Sequence, residues 1–380
     1  MKKTLSIVGA ILSAVIISGC LDSDSSKTNS SNKGTGALTK NPLKTGYIGS
    51  IKIPDRTVLP EDIVFDPLKE SLIVSGSGKK QIERGQIWEA GMDDPVFSYV
   101  PLITAPAETF LKGAGIAYDA FSEVLYACSN PGNRLATVNP TVVVFRRSPN
   151  NELVWESAIN FETANLGQRC AKLQILDGYL FATNEYAVDD GYAAVYSADI
   201  EDNPLPTEFG VSVKYSDLGY VPNEAMVNKR LLSSIQRVEH RAIGEWKLLV
   251  LDQNKRSIYK IVLDLPTQAT DPLEIEPPIL ALGIPTDIED PSVFINRDDE
   301  LMFIAGKNSI YSVKYSKEGT LLESQKFTDL TINMNVKGMS FGQDRFGTTI
   351  YPAFFIVSST LQQGSYFTVD EFAFDPVTGM

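Results

Sequence analysis

A hairpin plan recurs six times along this chain, and that recurrence restricts the fold more than any other feature. At 60–78 the sequence reads PEDIVFDPLKESLIVSGSG: acids, a short apolar alternation ending in Asp, a turn, then a second apolar run closing on small residues. GIAYDAFSEVLYACSN at 115–130 and CAKLQILDGYLFATNE at 170–185 repeat it, the latter through the favoured hairpin dipeptide Asp177-Gly178. Looser copies are SSIQRVEHRAIGEWKLLVLDQN at 233–254, DPSVFINRDDELMFIAGKN at 290–308 and VKGMSFGQDRFGTTIYPAFFIVSS at 336–359. Their first apolar anchors are Ile63, Ile116, Leu173, Ile235, Val293 and Met339, spaced 46 to 62 residues apart. Loops of varied length between otherwise similar units give such irregular spacing.

Further β-rich segments follow the hairpins: GQIWEAG and VFSYVPLI after the first, TVVVFRRS and ELVWESAIN after the second, YAAVYSADI and FGVSVKYSD after the third. SIYKIVLD with LEIEPPILAL, then SIYSVKYS with LLESQKFTD, complete the fourth and fifth. β-branched and aromatic content marks all of these as strands. Four strands per unit, repeated six times, predict an all-β, six-bladed β-propeller. The sixth unit is one strand short, with only SYFTVDEFAFD after its hairpin, while YIGSIKIP at 47–54 precedes the first unit with no hairpin of its own. Strand 47–54 is therefore expected to join the C-terminal blade and close the ring, which removes exposed edges. No stretch carries the period of a long amphipathic helix.

PEDIVFD, the strand–Asp–turn–strand plan of the first three units and the six units across about 47–380 resemble the six-bladed propellers of the SMP-30/gluconolactonase, paraoxonase and strictosidine synthase superfamily. In such a propeller the first strand of each blade lines the central channel. The start of strand one and the end of strand two then share a face, because the two run antiparallel. Glu61, Asp62, Asn130, Arg169, Asn184, Glu185, Asp252, Asn254, Glu289, Asp290, Asn308 and Lys337 collect there as a polar rim, and the Asp66-Pro67 turn is expected to face away from it. The resemblance implies a Ca²⁺ held by oxygen ligands from different inner strands, with Glu61 and Asp290 as the matching positions. Arg169, where the family carries Asn, and Lys337 oppose a cation, so an internally paired channel mouth is the competing expectation. Cys128 and Cys170 fall on this same face in neighbouring blades. One disulfide or two separate thiols satisfy the count, and the shared face favours the bridge.

The N-terminus, MKKTLSIVGAILSAVIISGC, has a basic start and an apolar run from Leu5 to Ile17 too short to span a membrane comfortably. It ends in ISGC and resembles a bacterial lipoprotein signal, with residues 1–19 removed and Cys20 acylated, as by palmitate. Leu21 after the Cys resembles an outer-membrane sorting choice. Residues 20–45, rich in Ser, Asn, Thr and Gly, read as a tether whose ends lie about 28 Å apart as a flexible coil. Residues 46–380 then form the propeller. The expected location is the bacterial cell envelope, facing the periplasm or the cell surface. A net charge of −13 repels phosphate backbones and argues against nucleic-acid binding.

His240 is the single histidine and is expected in a turn on the opposite face, which argues against Ser-His-Asp or Cys-His chemistry at the rim and against His-rich metal sites. GSGKK at 76–80 lacks Walker spacing, FRRS at 145–148 reads as a solvated edge, and Trp88, Trp155 and Trp246 read as blade packing. The functional expectation is a lipid-anchored binding or accessory propeller for an envelope partner or a small ligand. The alternative is a Ca²⁺-dependent lactonase or esterase.

Overall fold

The computed structural model describes residues 45–55, 58–78, 84–91, 94–106, 110–131, 139–161, 168–186, 193–201, 204–221, 231–237, 246–255, 257–263, 274–275, 279–280, 288–295, 300–306, 309–315, 321–330, 335–342, 352–359 and 367–379, with backbone alone at 58, 274–275, 279–280, 288–295, 300 and 321. Among them every regular element is a strand, and the strands form six small sheets, the blades of a six-bladed β-propeller. The innermost strands are Val58–Asp66, Lys112–Asp119, Cys170–Leu176, Leu232–Arg237, Ile288–Ile295 and Val336–Gly342. Each touches the next around the ring, and the sixth touches the first. In the sixth blade, Gly46–Ile53 pairs antiparallel with Phe367–Ala373, outside Ala353–Ser358 and Val336–Gly342. The chain closes its own ring as the short last unit requires.

Blade packing explains why the second strands read as continuous apolar runs rather than alternations. Successive side chains of a strand point to opposite faces, and each blade has a neighbour on both. In Ser71–Gly78, which is buried throughout, Val74 enters the cluster shared with blade six and Ile73 the one shared with blade two. One such cluster lies at each of the six blade interfaces. Ile51 and Ile53 of the closing strand are fully buried in the one joining blades one and six.

The hairpin turns follow their residues. Asp66 Oδ1 accepts the backbone N–H groups of Leu68 and Lys69 at 2.9 and 3.2 Å, and Asp119 Oδ1 accepts that of Phe121 at 3.0 Å. These side-chain caps hold four-residue turns that end on a left-handed residue, Glu70 (φ 49°) or Glu123 (φ 55°). Asp177 (φ 46°) and Gly178 (φ 75°) make the two-residue turn that their dipeptide predicts.

Two sequence expectations change. VFSYVPLI is not one strand: Ser98–Tyr99 pairs within blade one, and after Pro101 the chain crosses so that Leu102–Ile103 runs parallel to Leu153–Asn160 of blade two. Pro101 supplies no backbone N–H to continue a ladder. FRRS is not uniformly solvated. Arg146 is exposed and pairs with Glu156, whereas Arg147 is buried, 2.7 Å from Glu89 of blade one. His240 lies outside the described residues.

Candidate functional site

All six innermost strands carry a register irregularity near their start, between Pro60 and Asp62 in blade one and at the corresponding place in the others. A bulge of this kind bends a strand and re-aims its side chains. The residue just before each apolar anchor is then Asp62, Gly115, Lys172, Ser234, Ser292 and Gly338. Two opposite charges stand in a ring of otherwise small residues. They meet across the channel, with Lys172 Nζ 2.6 Å from Asp62 Oδ1 and 2.5 Å from the Lys337 carbonyl oxygen. The Ile116 N–H donates to Asp62 Oδ2 at 2.9 Å. Blades one, two, three and six are thereby tied at one level.

The neighbouring glycines make this crossing possible. A Cβ on Gly338 would lie 2.4 Å from Asp62 Oδ1, and one on Gly115 would lie 2.5 Å from Lys172 Cα. Burial raises the Asp62 carboxyl above the ordinary carboxylate range, against the lowering pull of the Lys172 ammonium. The sequence signal for this pair was present: aligning the six units on their anchors puts Asp62 and Lys172 at one position.

The Asp62–Lys172 contact borders two cavities. On the side where the inner strands begin, a space of about 100 Å³ is lined by Glu61, Arg169, Lys172, Glu185 and Lys337 among others. On the side of the hairpin turns the channel opens into a cavity of about 830 Å³, within the 300–1,000 Å³ typical of small-molecule sites. The Asp66-Pro67 turn faces away from the polar rim, as expected, and Pro67 lines the larger cavity on that opposite side.

The larger cavity has a wall of mixed character, with apolar surface from Val64, Phe65, Leu173, Ile175, Met339 and Phe341 and neutral polar groups from Tyr118, Gln174, Gln236 and Ser340. Its charged lining is limited among the described residues. Asp62 and Lys172 hold each other, Asp119 caps its own turn, and Arg237 is exposed to solvent. Burial, then the charge of Asp66, pushes the Tyr118 hydroxyl up to about 12, so it remains a neutral group at physiological pH.

The predicted rim residues divide by role. Glu61 Oε1 accepts the Ser77 hydroxyl at 3.0 Å and lines the small cavity. Arg169 pairs with Glu185 at 3.1 Å. Asn130 is fully buried and ties blade two to blade three, donating to the Cys170 carbonyl oxygen and accepting the Cys170 N–H, both at 2.9 Å. Asn184 Oδ1 accepts the Arg169 N–H at 3.1 Å, and its Nδ2 donates to the Ala193 carbonyl oxygen at 3.0 Å. Asp252 accepts the Tyr220 hydroxyl at 2.6 Å and the Lys255 N–H at 2.9 Å, with Asn254 beside Tyr220. Lys337 contributes its carbonyl oxygen to the Lys172 crossing. Glu289 and Asp290 lie on the bulged start of Ile288–Ile295, their side chains outside the described residues, as is Asn308. Cys128 and Cys170 form the expected disulfide between blades two and three.

A hard dication needs several anionic or carbonyl oxygens converging without competing cations. Around the small cavity the described carboxylates are Glu61, held by Ser77, and Glu185, held by Arg169, and three cationic side chains line the same space. Among the described residues no cluster of three or more acidic, Cys or His side chains converges. The described donor set does not fit Ca²⁺, and the Asp290 side chain lies outside it.

No protein-family model matches the chain, and no curated protein matches it. Among solved structures it is similar to the major allergen Mala s 1 of Malassezia sympodialis, at 12% identity over 85% of this chain and 95% of that one, with a TM-score of 0.58. A protein of unknown function from Dyadobacter fermentans follows at 6% identity, 86% and 98% coverage and a TM-score of 0.51. A putative 6-phosphogluconolactonase from Bacteroides fragilis is similar at 12% identity, 86% and 80% coverage and a TM-score of 0.49. At these identities the likeness is one of fold.

Proposed function

We propose that this chain is an envelope-anchored binding protein, tethered through Cys20, that holds a small, uncharged molecule with both apolar and polar parts in its turn-side cavity. The observation that carries this reading is the cavity of about 830 Å³ whose deep charges, Asp62 and Lys172, are spent on each other. A charged ligand seated beside that pair would compete with an ion pair already made, at a desolvation cost of several kcal/mol. An apolar body gains roughly 25 cal/mol for each Å² it removes from water. Tyr118, Gln174, Gln236 and Ser340 add neutral polar lining, Gln174 and Ser340 each donating one hydrogen bond to the neighbouring Ile175 or Phe341 carbonyl oxygen and keeping an acceptor.

The alternative, a Ca²⁺-dependent lactonase built on Glu61 and Asp290, has less support, because the described donors near Glu61 are already engaged and stand among cations. The two readings separate by titration with a neutral apolar fluorophore, N-phenyl-1-naphthylamine. Saturable binding that is lost in Ser340→Trp, where a half-buried wall residue is enlarged, and that ignores Ca²⁺ and chelator supports the cavity reading. Binding absent from the wild type, or unaltered in Ser340→Trp, refutes it.

A further inference from the structure

Strand direction assigns each loop to a face. Within a blade the inner strand runs toward the larger cavity and the second returns, so the first hairpin turn and the connection between third and fourth strands share the cavity side. In blade six the fourth strand is Gly46–Ile53, and Gly46 pairs with Ala373, which pairs with Ala353, which pairs with Gly342. The described chain therefore begins on the cavity side, and its last residues, Phe374–Gly379, lie there too.

Exposed apolar side chains collect on this same face. Of the eight large exposed apolar residues among those described, five belong to it: Phe121 (94% exposed) and Leu68 (64%) at hairpin tips, Tyr47 beside Gly46, Leu322 at the start of an outer strand, and Val377 in the last turn. Val96 and Tyr99 sit at the outer edge of blade one, and Val221 on the opposite face. Isolated exposed apolar residues are ordinary, but a one-sided set that runs from Phe121, which lines the cavity, out to Tyr47 and Leu322 on outermost strands marks an interaction surface.

We infer that this face docks on the surface of a phospholipid bilayer, with the cavity mouth turned toward the lipid. The inference rests on the Cys20 anchor proposed above. An anchor at Cys20 joins the described chain at its first residues beside Gly46, on the side where Phe121 and Leu68 project. The opposite face stands one strand length further away, about 23 Å for seven residues. Amphipathic protein surfaces hold to bilayers by inserting such apolar tips at the headgroup boundary. The acidic net charge of −13 favours a zwitterionic over an anionic lipid surface.

The test uses the full lipidated chain carrying Phe121→Cys, Leu68→Cys or, on the far face, Val221→Cys, each labelled with an environment-sensitive fluorophore while Cys128–Cys170 stays oxidised. The proteins are reconstituted on phosphatidylcholine vesicles with and without brominated acyl chains, and flotation is read first. The expected result is co-flotation, with a blue shift and loss of emission to brominated lipid at positions 68 and 121 and neither change at 221. Co-flotation with all three labels in a water-like environment, or with all three quenched alike, overturns the docking while leaving the anchor intact. Failure to float overturns the anchor itself and the docking with it.

Discussion

Replacing Lys172 by Met tests the crossing that ties the blades together. Met matches the length of the side chain and removes its charge. It leaves the Asp62 carboxylate buried without its partner at 2.6 Å and abolishes the hydrogen bond to the Lys337 carbonyl oxygen. Breaking a buried ion pair from one side costs about 3–5 kcal/mol. Unfolding entropy of about 2.1 cal/mol/K per residue over roughly 335 residues gives about 0.7 kcal/mol/K, so the Tm should fall by about 4–7 °C at pH 7. The pH dependence has a definite sign. Burial already raises the folded-state Asp62 carboxyl, and the two lowering influences of Lys172 disappear in the variant. A raised carboxyl has its full stability contribution in acid and loses it as pH climbs through the folded-state value. The deficit of Lys172→Met relative to wild type must therefore shrink between pH 7 and pH 4. Adding Asp62→Asn, which removes the stranded charge, should recover most of the loss. Thermal unfolding followed by circular dichroism reads all three proteins. A Tm equal to wild type, a deficit independent of pH, or a double variant no better than the single one would refute the reasoning.

Three further outcomes follow from the same packing. Reducing Cys128–Cys170 opens a loop with a sequence separation of 42 and should lower stability by about 4 kcal/mol on the loop-entropy model, seen as a lower denaturant midpoint in dithiothreitol; an unchanged midpoint contradicts it. Gly338→Ala places a Cβ 2.4 Å from Asp62 Oδ1 and 2.8 Å from its Cα, so overpacking should cost about 1–3 kcal/mol, and a neutral result would mean that Asp62 is not held where the crossing requires. Asp370 is buried in blade six and desolvation raises its carboxyl to about 6, so its stability contribution is lost as pH rises through that value. Asp370→Asn should then gain up to about 3 kcal/mol at pH 8 relative to pH 4, and equal effects at both pH values would contradict it.

The fold was legible because its rules are local. Alternation, the capping Asp66 and Asp119 turns, the Asp177-Gly178 dipeptide and a last unit one strand short each speak from a few adjacent residues. The blade assignment of Leu102–Ile103 was not, because crossing to the next blade depends on a neighbour that sequence order does not reveal. The rim was legible as a set of positions but not as chemistry. Asn130 and Asn184 are spent on backbone groups of adjoining segments, and Asp252 on Tyr220 and its own turn. Such commitments arise from blade-to-blade contacts that no single stretch encodes. The larger cavity is not legible in the sequence because the apolar part of its wall, Val64, Leu173, Ile175 and Met339, reads as core in any strand. What distinguishes it is the pairing of Asp62 with Lys172, residues 110 positions apart in the chain.

The most direct test of the account is a crystal structure of the protein purified from its own membranes with its native ligand retained. The account predicts electron density for a neutral organic molecule on the turn side of the channel, between Tyr118, Gln174 and Ser340, with Asp62 and Lys172 still paired. Density for a ligand or a metal ion at Glu61, on the other side of that pair, with the larger cavity holding only water, would contradict it.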